Sequence, residues 1–227
     1  MLNHTLAQSV FLGSLGLFAL STGQSMATTT PTSWDVASEF TDATNGTSGV
    51  WSYCEEATLN ASCTLLPVVT NPYSGNILGW TNAAGYPIVE HNVNQTSYVA
   101  TGAGGPVTFA PHGMMMHPGA NCEYAVARFT APYTGKYKIS GQFFGLDDNG
   151  SETTADVHIS VNSALHFNGS VNLNNATTHF SSFTVQNGIT LAAGNTVDFQ
   201  VGCGGDGYGY DSTGLNAIVE FYKAKKR

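Results

Sequence analysis

Tyr208 and Tyr210 alternate with glycines in Gly204-Gly205-Asp206-Gly207-Tyr208-Gly209-Tyr210-Asp211, and Asp206 and Asp211 bracket them. Glycine neighbours leave both rings with little steric cover. Tyr and Trp rings offer an apolar face with a polar handle, the combination on which a pyranose ring stacks while its hydroxyls find partners. Trp51, Tyr53, Trp80 and Tyr86 are further candidates for such contacts. An extended backbone puts Trp51 and Tyr53 on one strand face. Core packing is the competing role for Trp34, Trp51 and Trp80, because large aromatics fill sandwich interiors.

Acidic loops come next. Asp147, Asp148, Asn149 and Glu152 crowd one turn, while Asp206 and Asp211 flank the Gly/Tyr loop. Calcium takes six to eight oxygen ligands, so Asp147, Asp148, Asp206 and Asp211 are the expected metal candidates. No EF-hand spacing supports them, and Asp-Asp-Asn-Gly also reads as an ordinary hairpin turn. His112 and His117 enclose Met114-Met115-Met116. Their odd offset puts them on opposite faces of an extended strand, which disfavours a shared metal site. The methionines fit gap-filling or a sticky interface, and His117 before Pro-Gly suits a turn. A nucleophile needs a base and an orienting group within reach. Ser212 beside Asp211, with His158 across a sheet, is the one such arrangement imaginable, and nothing in the spacing requires it. No catalytic residue is assigned, and the expectation is a protein that is not an enzyme.

The elements that must hold these residues are short strands. In Ala155 to Val161, Val157, Ile159 and Val161 face one way and Asp156, His158 and Ser160 the other. Val197, Phe199, Val201 and Cys203 repeat the pattern, as do Leu215, Ala217, Val219 and Phe221. Period-two alternation with one polar face marks antiparallel sheets packed face to face. Pro132-Tyr133-Thr134-Gly135, Asp147-Asp148-Asn149-Gly150 and Ala192-Ala193-Gly194-Asn195 separate such runs with turn-forming residues. The first half, Ser33 to Pro118, has shorter strands and longer loops, and long loops on a rigid sandwich are where binding resides.

Met1 to Ala27 reads as a secretory signal peptide: an apolar stretch, Leu6 to Leu20, precedes small residues ending Ser25-Met26-Ala27. It lacks a Lys or Arg ahead of the apolar run, which is shorter than the roughly 20 residues of a membrane span, so no transmembrane anchor is expected in the mature chain. The expected organisation is a signal at 1–27, a Thr/Pro linker at 28–33, one β-sandwich domain at 34–222 and a basic tail at 223–227. Seven Lys and Arg stand against 15 Asp and Glu. Arg128, Lys136 and Lys138 are the sole basic residues of the body, which argues against nucleic acid as partner. Four cysteines behind a signal imply disulfides, with three pairings open. Cys54 and Cys63 flank a short loop that suits a local staple, and Cys122 and Cys203 lie where they could bridge neighbouring strands. Asn-x-Ser/Thr sequons stand at Asn45, Asn60, Asn94, Asn149, Asn168 and Asn175. They would carry glycans in a eukaryotic secretory pathway and are ordinary turn composition in a bacterium.

Several phrases resemble a family of secreted bacterial domains found in proteins with PEP-CTERM sorting signals, and more loosely the jelly-roll carbohydrate-binding modules. They are Trp34-Asp35-Val36-Ala37-Ser38-Glu39-Phe40, Gly49-Val50-Trp51-Ser52-Tyr53, His117-Pro118-Gly119, Arg128-Phe129-Thr130-Ala131-Pro132, Gly141-Gln142-Phe143 through Leu146-Asp147, Asp156-Val157-His158-Ile159 and Asp211-Ser212-Thr213-Gly214-Leu215. They span the whole mature domain. A C-terminal Pro-Glu-Pro signal is missing, and the cysteines are not part of the family pattern. The resemblance implies a jelly-roll fold and an extracellular setting; the modules often carry calcium.

The expectation is therefore an all-β, antiparallel sandwich of jelly-roll type, secreted or at a cell surface, that binds carbohydrate without catalysis. The other expectation is self-association as a structural subunit of a surface layer, filament or particle coat, for which an exposed apolar strand such as Met114 to Met116 would speak.

Overall fold

The computed structural model describes residues 33–71, 75–102, 105–147, 153–172, 180–184 and 188–222, all within the compact unit Pro31–Arg227. The signal, nearly all of the linker and the basic tail expected above lie outside them. Among the described residues every regular element is a strand, and no helix is long and apolar enough to cross a membrane.

Two antiparallel sheets face each other as a sandwich, as the alternation predicts. The larger holds, in spatial order, β14 (Phe180–Thr184), β11 (Gly135–Gly145), β17 (Thr213–Tyr222), β9 (Met114–His117), β6 (Ile88–Asn92), β5 (Ile77–Thr81) and β4 (Val68–Thr70). To it are added β1 (Ser33–Asp35), paired with β17, and β15 (Ile189–Leu191), paired with β11. Ser33, read above as the end of the linker, thus opens a strand opposite Glu220. The smaller sheet runs β13 (Ala164–Ser170), β12 (Asp156–Val161), β16 (Thr196–Gly202), β10 (Tyr124–Thr130), β2 (Trp51–Glu56) and β3 (Thr64–Leu65). A separate hairpin, β7 (Tyr98–Gly102) and β8 (Gly105–Phe109), completes the set.

The apolar positions picked out by period two are the interior. Val157, Ile159, Val197, Phe199, Val201, Leu215, Ala217 and Val219 are all buried in one cluster with Phe129, Tyr137, Ile139 and Phe143. Trp34 stacks on Tyr137 at 6.1 Å, and Trp51 meets Phe129 edge-on at 5.3 Å. Ile77, Ile88, Met115, Ala100 and Phe109 form a second cluster. It joins the hairpin to the opposite face of the large sheet, since Ile88 and Met115 alternate with the interior residues Val89, Met114 and Met116.

The methionine strand is therefore no sticky surface. Met114, Met115 and Met116 are all buried because β9 is a central strand covered on both faces. Exposed apolar side chains include Leu65, Val68 and Val69, on β3 and β4 at the sheet margins.

The polar face of the small sheet is also buried, through a lateral network. Arg128 forks onto Asp198 at 2.6 and 3.0 Å, while Gln200 donates to Glu56 at 2.8 Å and accepts from Ser160 at 3.0 Å. Asp198 and Glu56 are each 1% exposed. Removing one partner of such a pair strands a buried charge, so Arg128→Met is expected to destabilise the fold by about 3–5 kcal/mol. Urea denaturation checks this, and adding Asp198→Leu should restore part of the loss, since Glu56, 3.7 Å from the same guanidinium, also loses its cation.

One edge of β17 pairs with β11 along its length. The opposite edge carries β9 at Thr213 to Leu215 and β1 at Ile218 to Glu220. Between them Val36 N reaches Ala217 O at 3.1 Å, and the sheet opens beside Asn216.

Candidate functional site

The loop from Cys203 to Ser212, between β16 and β17, is where the sequence candidates gather. Its backbone is left-handed at Gly204, Gly205 and Gly207, and at Tyr210. Glycine reaches those angles at no steric cost. At Gly204 a side chain would also run into the Thr154 carbonyl, so the loop passes that backbone closely.

Aspartates pin it. Gly204 N donates to Asp156 at 2.8 Å, Ser212 N to Asp147 at 2.7 Å, and Thr154 N to Asp211 at 3.1 Å. The Thr154 hydroxyl lies 2.6 Å from Asp206 and 3.2 Å from Asp211. Cys203 is bonded to Cys122, and Cys54 to Cys63, the pairings that the spacing favoured. Burial would raise the Asp156 carboxyl, but hydrogen bonds from His158, the Tyr124 hydroxyl and Gly204 N bring it down to about 2.

Held this way, the loop presents rings. Tyr208 is 39% exposed, Tyr210 40% and Tyr86 43%. Tyr86 and Tyr208 meet edge to face, with centroids 6.2 Å apart. Beneath both lies His117, 4.9 Å from Tyr86 and 6.0 Å from Tyr208. Register explains the meeting: β6 pairs Ile88 with His117, bringing the Tyr86 turn to the end of β9, and β17 delivers its preceding loop to the same end. His117 is buried, which lowers its pKa, and its Nδ1 lies 2.9 Å from Pro118 O. A carbonyl accepts only, so Nδ1 carries the proton and the ring is a neutral prop.

Three buried carboxyls are also shifted in this part of the molecule. Burial raises Asp211 to about 7 against the Thr154 hydrogen bonds, helped by Asp206 and Asp147. Burial likewise raises Asp147, and it pushes Glu90 up to about 8. The Tyr86 hydroxyl is raised by burial first, then by Glu90, Tyr208 and Asp147, which places those groups within its electrostatic reach. Such clustering is a mark of functional sites.

Other expectations are corrected here. Trp51, Tyr53 and Trp80 cannot stack on a ligand, because they are 4%, 1% and 6% exposed and packed in the core. Trp80 donates its indole N–H to Thr41 O at 2.8 Å, and Tyr53 packs on Phe40. Ser212 donates to Asp147 and His158 bonds Asp156, so the imagined relay of Ser212, Asp211 and His158 does not form. Calcium wants six to eight oxygens. The buried Asp211 Oδ2 has no hydrogen-bond partner, yet among the described residues no three His, Cys, Asp or Glu side chains converge as an ion requires. Asp148 lies outside the described residues. At the sequon Asn45, both N–H groups of the side-chain amide are in use, donating to Tyr53 O and Leu66 O, so a glycan there would remove one of the two donors. Sequence reasoning missed the joining of Tyr86 and His117 to Tyr208, because it depends on the pairing of strands distant in the chain.

No family model and no curated protein matches the chain. Among solved structures it is similar to a CBM51 module from Clostridium perfringens in complex with methyl-galactose, at 16% identity, covering 69% of this chain and 94% of that one, TM-score 0.35. It is also similar to a family 35 carbohydrate-binding module from Clostridium thermocellum, at 16% identity over 67% and 89% of the two chains, TM-score 0.29. An arabinose-bound MgGH51 arabinofuranosidase matches over 80% of this chain and 28% of its own, at 11% identity and TM-score 0.36.

Proposed function

We propose that the chain is a secreted, non-catalytic module that binds neutral carbohydrate at the Tyr86–Tyr208 pair. The observation that carries this reading is the pair itself: two half-exposed rings propped on a buried neutral imidazole, beside the exposed Asp206. Ring faces take the apolar side of a sugar, and the carboxylate accepts from its hydroxyls. A formal net charge of -8 disfavours anionic polymers as partners. Two disulfides suit an oxidising, extracellular setting.

The test is binding to a broad panel of neutral polysaccharides and glycans. Tyr86→Ala and Tyr208→Ala are each expected to weaken the best ligand about tenfold or more, the effect of roughly 1.4 kcal/mol. A panel without any binder, or binding indifferent to both substitutions, would defeat the reading. Assays with calcium and with EDTA run alongside. Binding lost in EDTA would make a cation part of the site, and Asp206→Asn and Asp211→Asn would then test those two carboxylates as its ligands.

Self-association is the second reading, favoured by one observation. Leu65, Val68 and Val69 are exposed on strands at the sheet margins, and no charged residue occurs from Ala57 to Val89. Natural edges are ordinarily guarded by charge. Light scattering that rises with concentration, and falls on Val69→Lys, would support it.

A further inference from the structure

A concave feature lies where the large sheet opens beside Asn216. It is a cleft of about 540 Å³ lined by Asp35, Ala37, Ser38, Phe40, His91, His112 and Asn216. Its volume falls within the roughly 300–1,000 Å³ of small-molecule sites. It stands apart from the tyrosine pair: His112 precedes β9 and His117 ends it, and the four residues of that strand span about 13 Å.

The walls come from a column of rings that runs out of the core. Tyr53 packs on Phe40 at 5.0 Å, Phe40 stacks on His91 at 5.1 Å, and His91 stacks on His112 at 6.3 Å. Tyr53 and His91 are buried, while His112 is exposed and ends the column. His112 holds a φ of 52°, a left-handed angle that glycine adopts more readily. A bulky ring kept at such an angle is the kind of outlier from which a functional role is inferred.

Polar groups complete the lining. Asp35 Oδ1 accepts from Ala37 N and Ser38 N, each at 2.9 Å, which fixes the carboxylate and leaves Oδ2 outside that turn. The Asn216 side chain is exposed on β17, and the Ser38 hydroxyl stands at the rim. Neither Lys nor Arg lines the cleft, and Asp35 would repel an anion. Burial keeps His91 below the ordinary histidine pKa, so the interior offers no fixed cation either.

We propose that this cleft is a second saccharide site, taking a single neutral sugar ring that stacks on His112 and donates hydroxyl hydrogen bonds to Asp35 and Asn216. The proposal rests on the carbohydrate reading above and would make the module bivalent on a polysaccharide. Two weak sites on one body gain avidity when a single chain reaches both.

The experiment is an amide NMR titration of the folded domain with glucose, galactose, xylose and N-acetylglucosamine at millimolar concentration. Ala37, Ser38 and Gly113 report the cleft; Gly207, Tyr208 and Gly209 report the loop. Saturable shifts are expected in the cleft set. His112→Gly, which suits the backbone angle, should weaken them at least tenfold without moving the loop response. Asn216→Ala, at an exposed strand position, serves as the second variant. Shifts confined to the loop, or a cleft response unchanged in both variants, would overturn the second site and leave the tyrosine reading standing. Shifts confined to the cleft would uphold it and overturn the tyrosine pair. Saturable shifts in neither set would overturn both.

Discussion

Glu90→Gln is expected to make the protein markedly more resistant to alkaline pH. Glu90 lies on β6 opposite Gly79 and Met115, on the sheet face that the β7–β8 hairpin covers, and is 3% exposed. Gly79 makes the room: a side chain there would meet Glu90 Cγ. Burial alone pushes the carboxyl from 4.5 up to about 8. Below pH 4.5 the group is protonated whether the chain is folded or not, and its contribution is fully present. Above that, the unfolded chain releases the proton and the native one keeps it, so stability falls by about 1.4 kcal/mol per pH unit. The fall ends as pH passes about 8, by which point the whole loss approaches about 5 kcal/mol. Glutamine carries no titrating proton, so the variant lacks this slope. A buried amide without a partner costs about 1–3 kcal/mol at every pH, so the variant is less stable than wild type in acid and more stable at pH 9.

The hairpin is the element that yields. Ala100 and Phe109 hold it down through Ile77, Ile88 and Met115, and an isolated two-stranded hairpin has little stability of its own. Water reaches an ionised Glu90 most cheaply by lifting it. Hydrogen exchange at pH 9 should therefore speed up in β7 and β8 ahead of β10 and β16. Asp211, raised to about 7 chiefly by burial, titrates with the same sign, so Glu90→Gln keeps a shallower fall that ends near neutrality. Melting curves from pH 5 to 9 decide the matter. Parallel pH profiles for the two proteins would show that Glu90 is not the group concerned.

The sandwich was legible because period-two alternation needs only neighbours in the chain. Val157, Ile159 and Val161 alternate with polar residues, and the structure turns them inward. Tyr208 and Tyr210 were also legible, since glycines beside a ring strip away cover whatever the fold. Trp51, Tyr53 and Trp80 were not, because an aromatic on a strand is core or platform according to which sheet lies over it. Polar residues misled for a related reason. Asp198 and Gln200 alternate as a solvated face should, yet Arg128, Glu56 and Ser160 approach from three different strands and satisfy them in burial. The Tyr86–His117 contact and the seam beside Asn216 depend on which strands pair with β9 and β17. Local composition carries no trace of that.

Replacing Cys122 and Cys203 together by serine is expected to cost the fold about 4–5 kcal/mol, because that bridge closes a separation of 81 residues in the unfolded chain. The Cys54–Cys63 bridge closes a separation of 9, and its removal should cost about 2–3 kcal/mol on the same loop-entropy argument. Urea midpoints for the two double variants give the comparison. The larger effect has a functional side that the smaller lacks. Cys203 is the residue from which the Gly/Tyr loop departs, and after it the chain passes through left-handed angles at Gly204, Gly205 and Gly207 before Tyr208. With the bridge gone, the near end of the loop is held by Gly204 N on Asp156 and by Asp206 on Thr154. Those are two hydrogen bonds to carboxylates, worth about 1.5–3 kcal/mol each and together close to what the bridge itself contributes. Each nevertheless leaves its backbone freer to move than a covalent link does. Tyr208 should then sample positions away from His117, and saccharide affinity should fall at temperatures where the sandwich is still folded. Loss of Cys54–Cys63 should leave affinity unchanged until the whole fold melts. Equal affinity in the two variants under folding conditions would mean that the aspartates alone hold the ring in place.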